Sequence, residues 1–207
     1  MSEIEQLDYL INYILNKYDS INSDWEKSIL YKSLNMKKNK VNDLYENSEL
    51  SDIVFNYRNF INDYYSEIYN DISSLNIDNE IEMRIKANNS LQDKIVRYCN
   101  QEKHEYGHIP INKCVNDLIG FRIIFNNDID LIKIIDYINS KYNNIICRDS
   151  SKNGYIATHI YFVSDNNYRF RWELQLWNKS AYINNKECHE IYKQAYTKYE
   201  FESKEEE

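Results

Sequence analysis

Residues 80–87 read EIEMRIKA, and at this octapeptide the pattern of the chain changes. Ile81, Met83 and Ile85 alternate with Glu82, Arg84 and Lys86, the period of a strand with one buried face. Everything before it has helical spacing. Ile4, Leu7, Ile11, Ile14 and Leu15 recur at helical intervals, as do Leu50, Ile53, Val54, Tyr57, Phe60, Ile61, Tyr64, Ile68 and Ile72. Between these runs, residues 24–45 (DWEKSILYKSLNMKKNKVNDLY) read as a further helix carrying Lys32, Lys37, Lys38 and Lys40. A lysine run of this kind is ordinarily a solvated helix face.

After the strand, NNSLQDKIVRYC (88–99) reads as a helix, with Ser90 and Asp93 at the spacing of an N-cap and its partner. DLIGFRIIF (117–125) reads as a strand, 128–142 as a helix and NIICR (144–148) as a short strand. YIATHIYFV (155–163) and FRWELQL (170–176) read as further strands, and 179–197 as helix. Helices followed by mixed strands and helices predict an α+β fold, a mixed sheet flanked by helices with a helical N-terminal extension. The boundaries expected are a helical region 1–79 packed on a core 80–197, then an acidic tail 198–207, one domain overall.

Composition narrows the function classes. The 207 residues are 43% hydrophobic and 28% charged, which is globular. No run of about 18 apolar residues exists and the N-terminus has no signal-peptide pattern, so a cytoplasmic protein is expected. Four scattered cysteines read as reduced thiols. A net charge of −8 argues against a general nucleic-acid coat, though not against a local basic patch.

Several residues have types suited to chemistry. Arg84 and Lys86 share a strand face, and Ser90 and Lys94 follow at a helix start, an arrangement able to cradle polyphosphate or simply to face solvent. Asp117 and Glu173 lie on separate apolar strands, and two such carboxylates could share Mg²⁺ with substrate phosphates, or be surface acids. In SKNGYIATH (151–159), Gly154 lets the chain turn, and alternation puts Tyr155, Ala157 and His159 on one face. Cys99, His104, His108 and Cys114 are four N/S ligands that could hold Zn²⁺, although they lack a paired CxxC knuckle. A loop fits them better.

The order of these pieces says more than any one of them. RIKANNSLQDK (84–94), DLIGFR (117–122), KNGYIATH (152–159), ELQL (173–176) and HEIYK (189–193) together resemble the RelA/SpoT synthetase domain, also found alone in small alarmone synthetases. The resemblance implies a nucleotidyltransferase-like mixed sheet and transfer of the pyrophosphate of ATP to a ribose 3′-hydroxyl. It implies that Arg84 and Arg122 clamp adenine, and that Lys86, Ser90 and Lys94 bind the ATP phosphates. Asp117 would bind Mg²⁺, with Glu173 beside the metal and the attacking hydroxyl. Tyr155 would stack on the acceptor base, Lys152, His159 and Gln175 would make further acceptor or phosphate contacts, and Gly154, His189 and Lys193 would support them.

Trp177 and Asn178 depart from the family, which usually has a basic residue and Thr after its E-x-Q motif. Only 14 residues follow HEIYK, which argues against the tetramer-building C-terminal helices common in these synthetases. No hydrolase HD motif is present. The acceptor thus has two readings: GDP or GTP, giving the alarmone (p)ppGpp, or the 3′ CCA end of tRNA, as in toxin members restrained by a protein antitoxin. Lys32, Lys37, Lys38 and Lys40 would suit a tRNA backbone. A third reading is an inactive nucleotide-binding regulator.

Overall fold

In a computed structural model that describes residues 1–191, the strand begun at Glu80 is the first of five. The strands are β1 (Glu80–Ile85), β2 (Ile119–Phe125), β3 (Ile145–Asp149), β4 (Thr158–Phe162) and β5 (Trp172–Asn178). They form one sheet in the order β1-β2-β5-β4-β3, with β2 and β5 parallel and the other pairs antiparallel. The fold is α+β with a mixed sheet, as the pattern predicts.

Register puts residues of like character on the same face. Phe121, Ile123 and Phe125 of β2, Leu174 and Leu176 of β5, Ile160 and Phe162 of β4 and Cys147 of β3 are all buried in one apolar cluster. Helices α1 (Glu3–Trp25), α3 (Ser48–Asp63), α4 (Tyr65–Ser74), α5 (Asn88–Asn100) and α7 (Leu131–Lys141) contribute to that same cluster. Their apolar stripes have nowhere else to go, so they cover this face and leave the opposite one free of them. Aromatic residues tie the layers together. Tyr57 of α3 stacks on Phe170 at 4.1 Å and accepts a hydrogen bond from Trp172 Nε1 at 3.0 Å. Tyr18 of α1 meets Trp172 edge-on.

Three expectations are corrected. Residues 24–45 are not one helix: α1 ends at Trp25, a 3₁₀ turn spans Tyr31–Ser33, and α2 is only Val41–Glu46. Asn35 and Asn39 break it. The Asn35 side chain accepts from the Lys37 and Lys38 amides and Asn39 accepts from the Asn35 amide, so local side-chain bonds replace the helical ladder. Helix α5 begins at Asn88 with Ala87 in the cap position, so Ser90 lies in the first turn and does not cap. The Lys86 amide bonds to Leu118 O and ties down the segment leaving β1. Tyr155 precedes β4 and is not part of it. Helix α6 (Ile111–Cys114) is a single turn, and helix α8 begins at 182 after a 3₁₀ turn and runs through 191, where the described residues stop. Lys193 and the 198–207 tail lie outside the described residues. No helix among the described residues is long and apolar enough to cross a membrane.

Candidate active site on the open sheet face

The face not covered by the apolar helix layer collects what the sequence spread over ninety residues. Glu82, Arg84, Gly120, Arg122, Glu173, Gln175, Trp177, His159 and Tyr161 all have the parity of this face, through the pairings Arg84↔Gly120↔Glu173↔Tyr161 and Glu82↔Arg122↔Gln175↔His159. Two rows of polar side chains therefore cross four strands.

At one end, Lys86 Nζ lies 2.8 Å from Asp117 Oδ2 and Lys94 Nζ lies 3.0 Å from Oδ1. Lys94 also donates to Asn116 Oδ1 at 3.0 Å. Burial alone would raise the Asp117 carboxyl, but the two ammoniums hold it far below the usual carboxylate range. One carboxylate serves two cations. Burial, with Lys94 and Arg84 nearby, drives Lys86 down despite Asp117, whereas Asp117 outweighs burial at Lys94 and raises it. The three groups carry a net charge of +1, an uncompensated positive site beside the start of α5.

Arg84 and Arg122 flank Gly120 in a cleft of about 260 Å³, joined by Gln175, Lys186 and His189. Arg84 is exposed, whereas Arg122 is held on all sides. Its guanidinium lies 3.6 Å over the Trp177 ring, donates to Gln175 Oε1 at 2.9 and 3.1 Å, and pairs with Glu82. Trp177, which departs from the family pattern, is thus the platform that flattens Arg122 against the sheet. Asn178, the other departure, bonds to both backbone groups of Ile129 and braces the loop before α7.

Glu173 is 5% exposed. Its Oε1 lies 3.1 Å from His159 Nδ1, and Gln175 Nε2 donates to Oε2 at 2.8 Å. Burial would raise Glu173, but His159 and the Gln175 amide outweigh it and keep the carboxyl below its ordinary range; the negative charge of Asp117 acts in the opposite sense. An ionised carboxylate of this kind is a weak base and a good positioner. His159 continues the chain of bonds through Nε2 to Tyr155 OH at 2.9 Å, and Trp177 Nε1 donates to the same hydroxyl at 3.1 Å. The Tyr155 hydroxyl accepts from Trp177 and directs its own proton at His159 Nε2 when that nitrogen carries none. In the neutral ring, Nδ1–H then points to Glu173. Replacing His159 with Asn removes the main influence that offsets burial. The acid limb of the pH–rate profile is expected to move upward, and an unmoved limb in wild-type and variant profiles would refute this coupling.

The Tyr155 loop is a two-residue hairpin turn. Asn153 and Gly154 take φ of +50° and +87°, and Lys152 and Tyr155 exchange both backbone hydrogen bonds at 2.9 Å. Asn-Gly is the dipeptide this turn favours. Yet the Tyr155 ring is 7% exposed, edge-on to His159, Trp177 and His189, and burial raises its hydroxyl to about 12. The expectation of a ring face open to a base is not met in the chain by itself: α8 residues pack against it, with Tyr182 and Cys188 joining the same small apolar cluster. Lys152 is exposed nearby. Ser90 is exposed on α5.

Among the described residues no three of His, Cys, Asp and Glu are grouped for a metal, so the Cys99–His104–His108–Cys114 set is not assembled. His104 instead stacks on Tyr98 at 3.6 Å, and Cys114 is buried with its thiol pushed up to about 12. Lys32, Lys37 and Lys38 are exposed and Lys40 is half-buried. Sequence reasoning missed Glu82, Asn116, Arg148 and Tyr161. Parity counted back from Arg84 would have found Glu82, and parity counted on from His159 would have found Tyr161.

No family model matches the chain, and no curated protein matches it. Solved structures do. The chain is similar to small alarmone synthetases. Small alarmone synthetase 1 from Bacillus subtilis bound to its product pppGpp matches at 14% identity and a TM-score of 0.43, over 72% of this chain and 83% of that one. The same synthetase without a named ligand matches at 16% identity and 0.39, over 69% and 76%. Its complex with AMPCPP matches at 13% and 0.36, over 70% and 75%. Likeness at this level assigns no residue of this chain a role.

Proposed function

We propose that the protein is an ATP-dependent pyrophosphokinase that transfers the β,γ-pyrophosphate of ATP to a ribose 3′-hydroxyl, most simply that of GDP or GTP. The observation that carries this reading is the convergence on one sheet face of a buried, ionised carboxylate pair, a lysine cradle of net charge +1 and an arginine-flanked cleft. Adenine would occupy the space between Arg84 and Arg122, where Trp177 already holds one guanidinium flat for stacking. The triphosphate would run toward Lys86, Lys94 and Ser90. Lys86 and Lys94 would exchange part of their contact with Asp117 for phosphate oxygens.

The donor set fits Mg²⁺. Asp117 and Glu173 are both ionised, feel each other's charge, and are two hard oxygen ligands of the number this ion uses when substrate phosphates complete its shell. They would hold it, and it would supply charge stabilisation of the transferring group. Glu173 would orient the acceptor hydroxyl for in-line attack on the β-phosphorus, with His159 fixing the carboxylate. AMP would leave, no covalent enzyme intermediate would form, and positioning would supply most of the rate. That Asp117 and Glu173 are both buried and both held below the usual carboxylate range weighs against an inactive regulator.

A specific observation keeps the tRNA 3′ end as a second acceptor reading. The Met36 amide bonds to Asn167 O and the Asn112 amide to Met36 O, seating the Lys37–Lys38 turn against the segment that leads into Lys113 and Asp117. Incubating the protein with labelled ATP and, separately, GDP, GTP and deacylated tRNA separates the readings by which acceptor takes the label. Lys37→Gln/Lys38→Gln is expected to weaken transfer to tRNA severalfold and to leave transfer to GDP unchanged. Equal loss with both acceptors would remove the turn from the tRNA reading. A toxin member would act with a protein antitoxin.

A further inference from the structure

Glu82 is held between the two elements that wall the Arg84–Arg122 cleft, and the proposed reaction gives it no task. Its Oε2 pairs with Arg122 of β2, and its Oε1 accepts from Lys186 Nζ of α8 at 2.8 Å. Both partners line the cleft, and Glu82 and Glu190 are its carboxylates among the described residues. Glu190 is exposed on α8, whereas the Glu82 side chain is 31% exposed and fixed from two sides. Burial would raise the Glu82 carboxyl, but Lys186 and Arg122 outweigh it and keep the group below its ordinary range. Each oxygen holds one partner, so lone pairs remain for a further donor.

Strand parity decides which part of a nucleotide would meet it. Glu82 and Arg84 share the open face of β1, and Lys86 follows with the same parity. At about 3.3 Å per residue, Lys86 and Glu82 stand about 13 Å apart along the chain, on opposite sides of Arg84. Lys86 and Lys94 draw the phosphates to one end. A purine stacked on the arginines then directs the edge remote from its ribose, which carries the 6-substituent, to the other end and Glu82. That edge differs between the purines. Adenine has an amino donor where guanine has the O6 acceptor. An ionised carboxylate accepts from the first and repels the second. Lys186, beside it, offers an N–H to adenine N1, a position that in guanine already carries hydrogen.

We infer that Glu82 is a specificity-determining residue, whose carboxylate accepts from the 6-amino group of the donor base and so selects ATP over GTP as pyrophosphoryl donor. The inference rests on the pyrophosphokinase reading, with adenine in the Arg84–Arg122 cleft, and deepens it. On that reading guanine nucleotides belong in the acceptor site. A donor cleft indifferent to the 6-position would fill with the wrong substrate.

Displacement of a labelled α,β-methylene analogue of ATP, which cannot transfer its pyrophosphate, tests the assignment by binding alone. The competitors are ATP, GTP and purine riboside triphosphate, which has hydrogen in place of the 6-amino group. Wild type is expected to bind ATP about ten- to a hundredfold more tightly than purine riboside triphosphate, and GTP more weakly still. In Glu82→Ala the ratio of ATP to purine riboside triphosphate affinity should fall to about one. In Glu82→Gln, whose amide can turn to donate to O6, the gap between ATP and GTP should narrow about tenfold. Arg122 keeps Trp177 and Gln175 in both variants, so both should fold. A Glu82 that serves only to position Arg122 would give a different result. Its loss would weaken all three triphosphates alike and leave their ratios unchanged, which would overturn the assignment. Equal displacement by ATP and purine riboside triphosphate in wild type would overturn it too. The transfer assay separates the two levels. Acceptor-dependent AMP formation with unchanged ratios in the variants ends the Glu82 assignment alone, whereas absence of AMP from wild type ends the pyrophosphokinase reading.

Discussion

Glu173→Gln is expected to lower pyrophosphoryl transfer by roughly a hundred- to ten-thousand-fold, with ATP binding intact. The amide has the shape of the carboxylate but neither its charge nor its second acceptor oxygen. On the proposed mechanism it would orient the 3′-hydroxyl poorly and hold Mg²⁺ more weakly. Stability should fall by about 1–3 kcal/mol, because the amide N–H₂ replaces an oxygen that faces His159 Nδ1 or Gln175 Nε2 and leaves a buried donor against a donor. Thermal melting with kcat and KM separates these effects. A variant that keeps wild-type kcat would remove Glu173 from the reaction. One that loses ATP affinity with kcat preserved would move Glu173 to the donor side.

The second large effect is at Asp117. Asp117→Asn leaves Lys86 and Lys94 buried 2.8–3.0 Å from a neutral amide. Breaking a buried pair by removing one partner costs about 3–5 kcal/mol, which for a chain of this size is about 10 °C in Tm. Lys86, already pushed down by burial and by Lys94, is the group expected to release its proton in compensation. Activity should be lost as well. The double variant Asp117→Asn/Lys86→Met removes one of the two stranded charges, so it should regain part of the melting temperature and none of the activity. Recovery of both would make Asp117 a structural counter-ion only. A single variant that melts like wild type would mean that the lysines do not depend on it.

How much of this was legible beforehand depends on the range of the forces involved. EIEMRIKA declared its strand because one face of a sheet must be apolar, and the same parity carried Arg84, Arg122, Glu173 and Gln175 to a common face. Asn153–Gly154 declared its turn because so few residues accept positive φ. What escaped notice depended on contacts between distant segments. Asn35 and Asn39 ended a helix that the lysines and apolar residues of 24–45 otherwise favoured. Tyr155 reads as an open ring until α8 is laid against it, and nothing near residue 155 announces that helix. Trp177 reads as a departure until Arg122 is placed 3.6 Å above it. Arg148 of β3 and Arg171, just before β5, become one charged surface only in the folded sheet.

ATP labelled in both the β- and γ-phosphates, incubated with the protein, Mg²⁺ and each acceptor in turn, tests the central claim most directly. Pyrophosphoryl transfer predicts one AMP for every acceptor molecule that gains both labels. Release of ADP with only the γ-label transferred, or no acceptor-dependent AMP with GDP, GTP or tRNA, would contradict it.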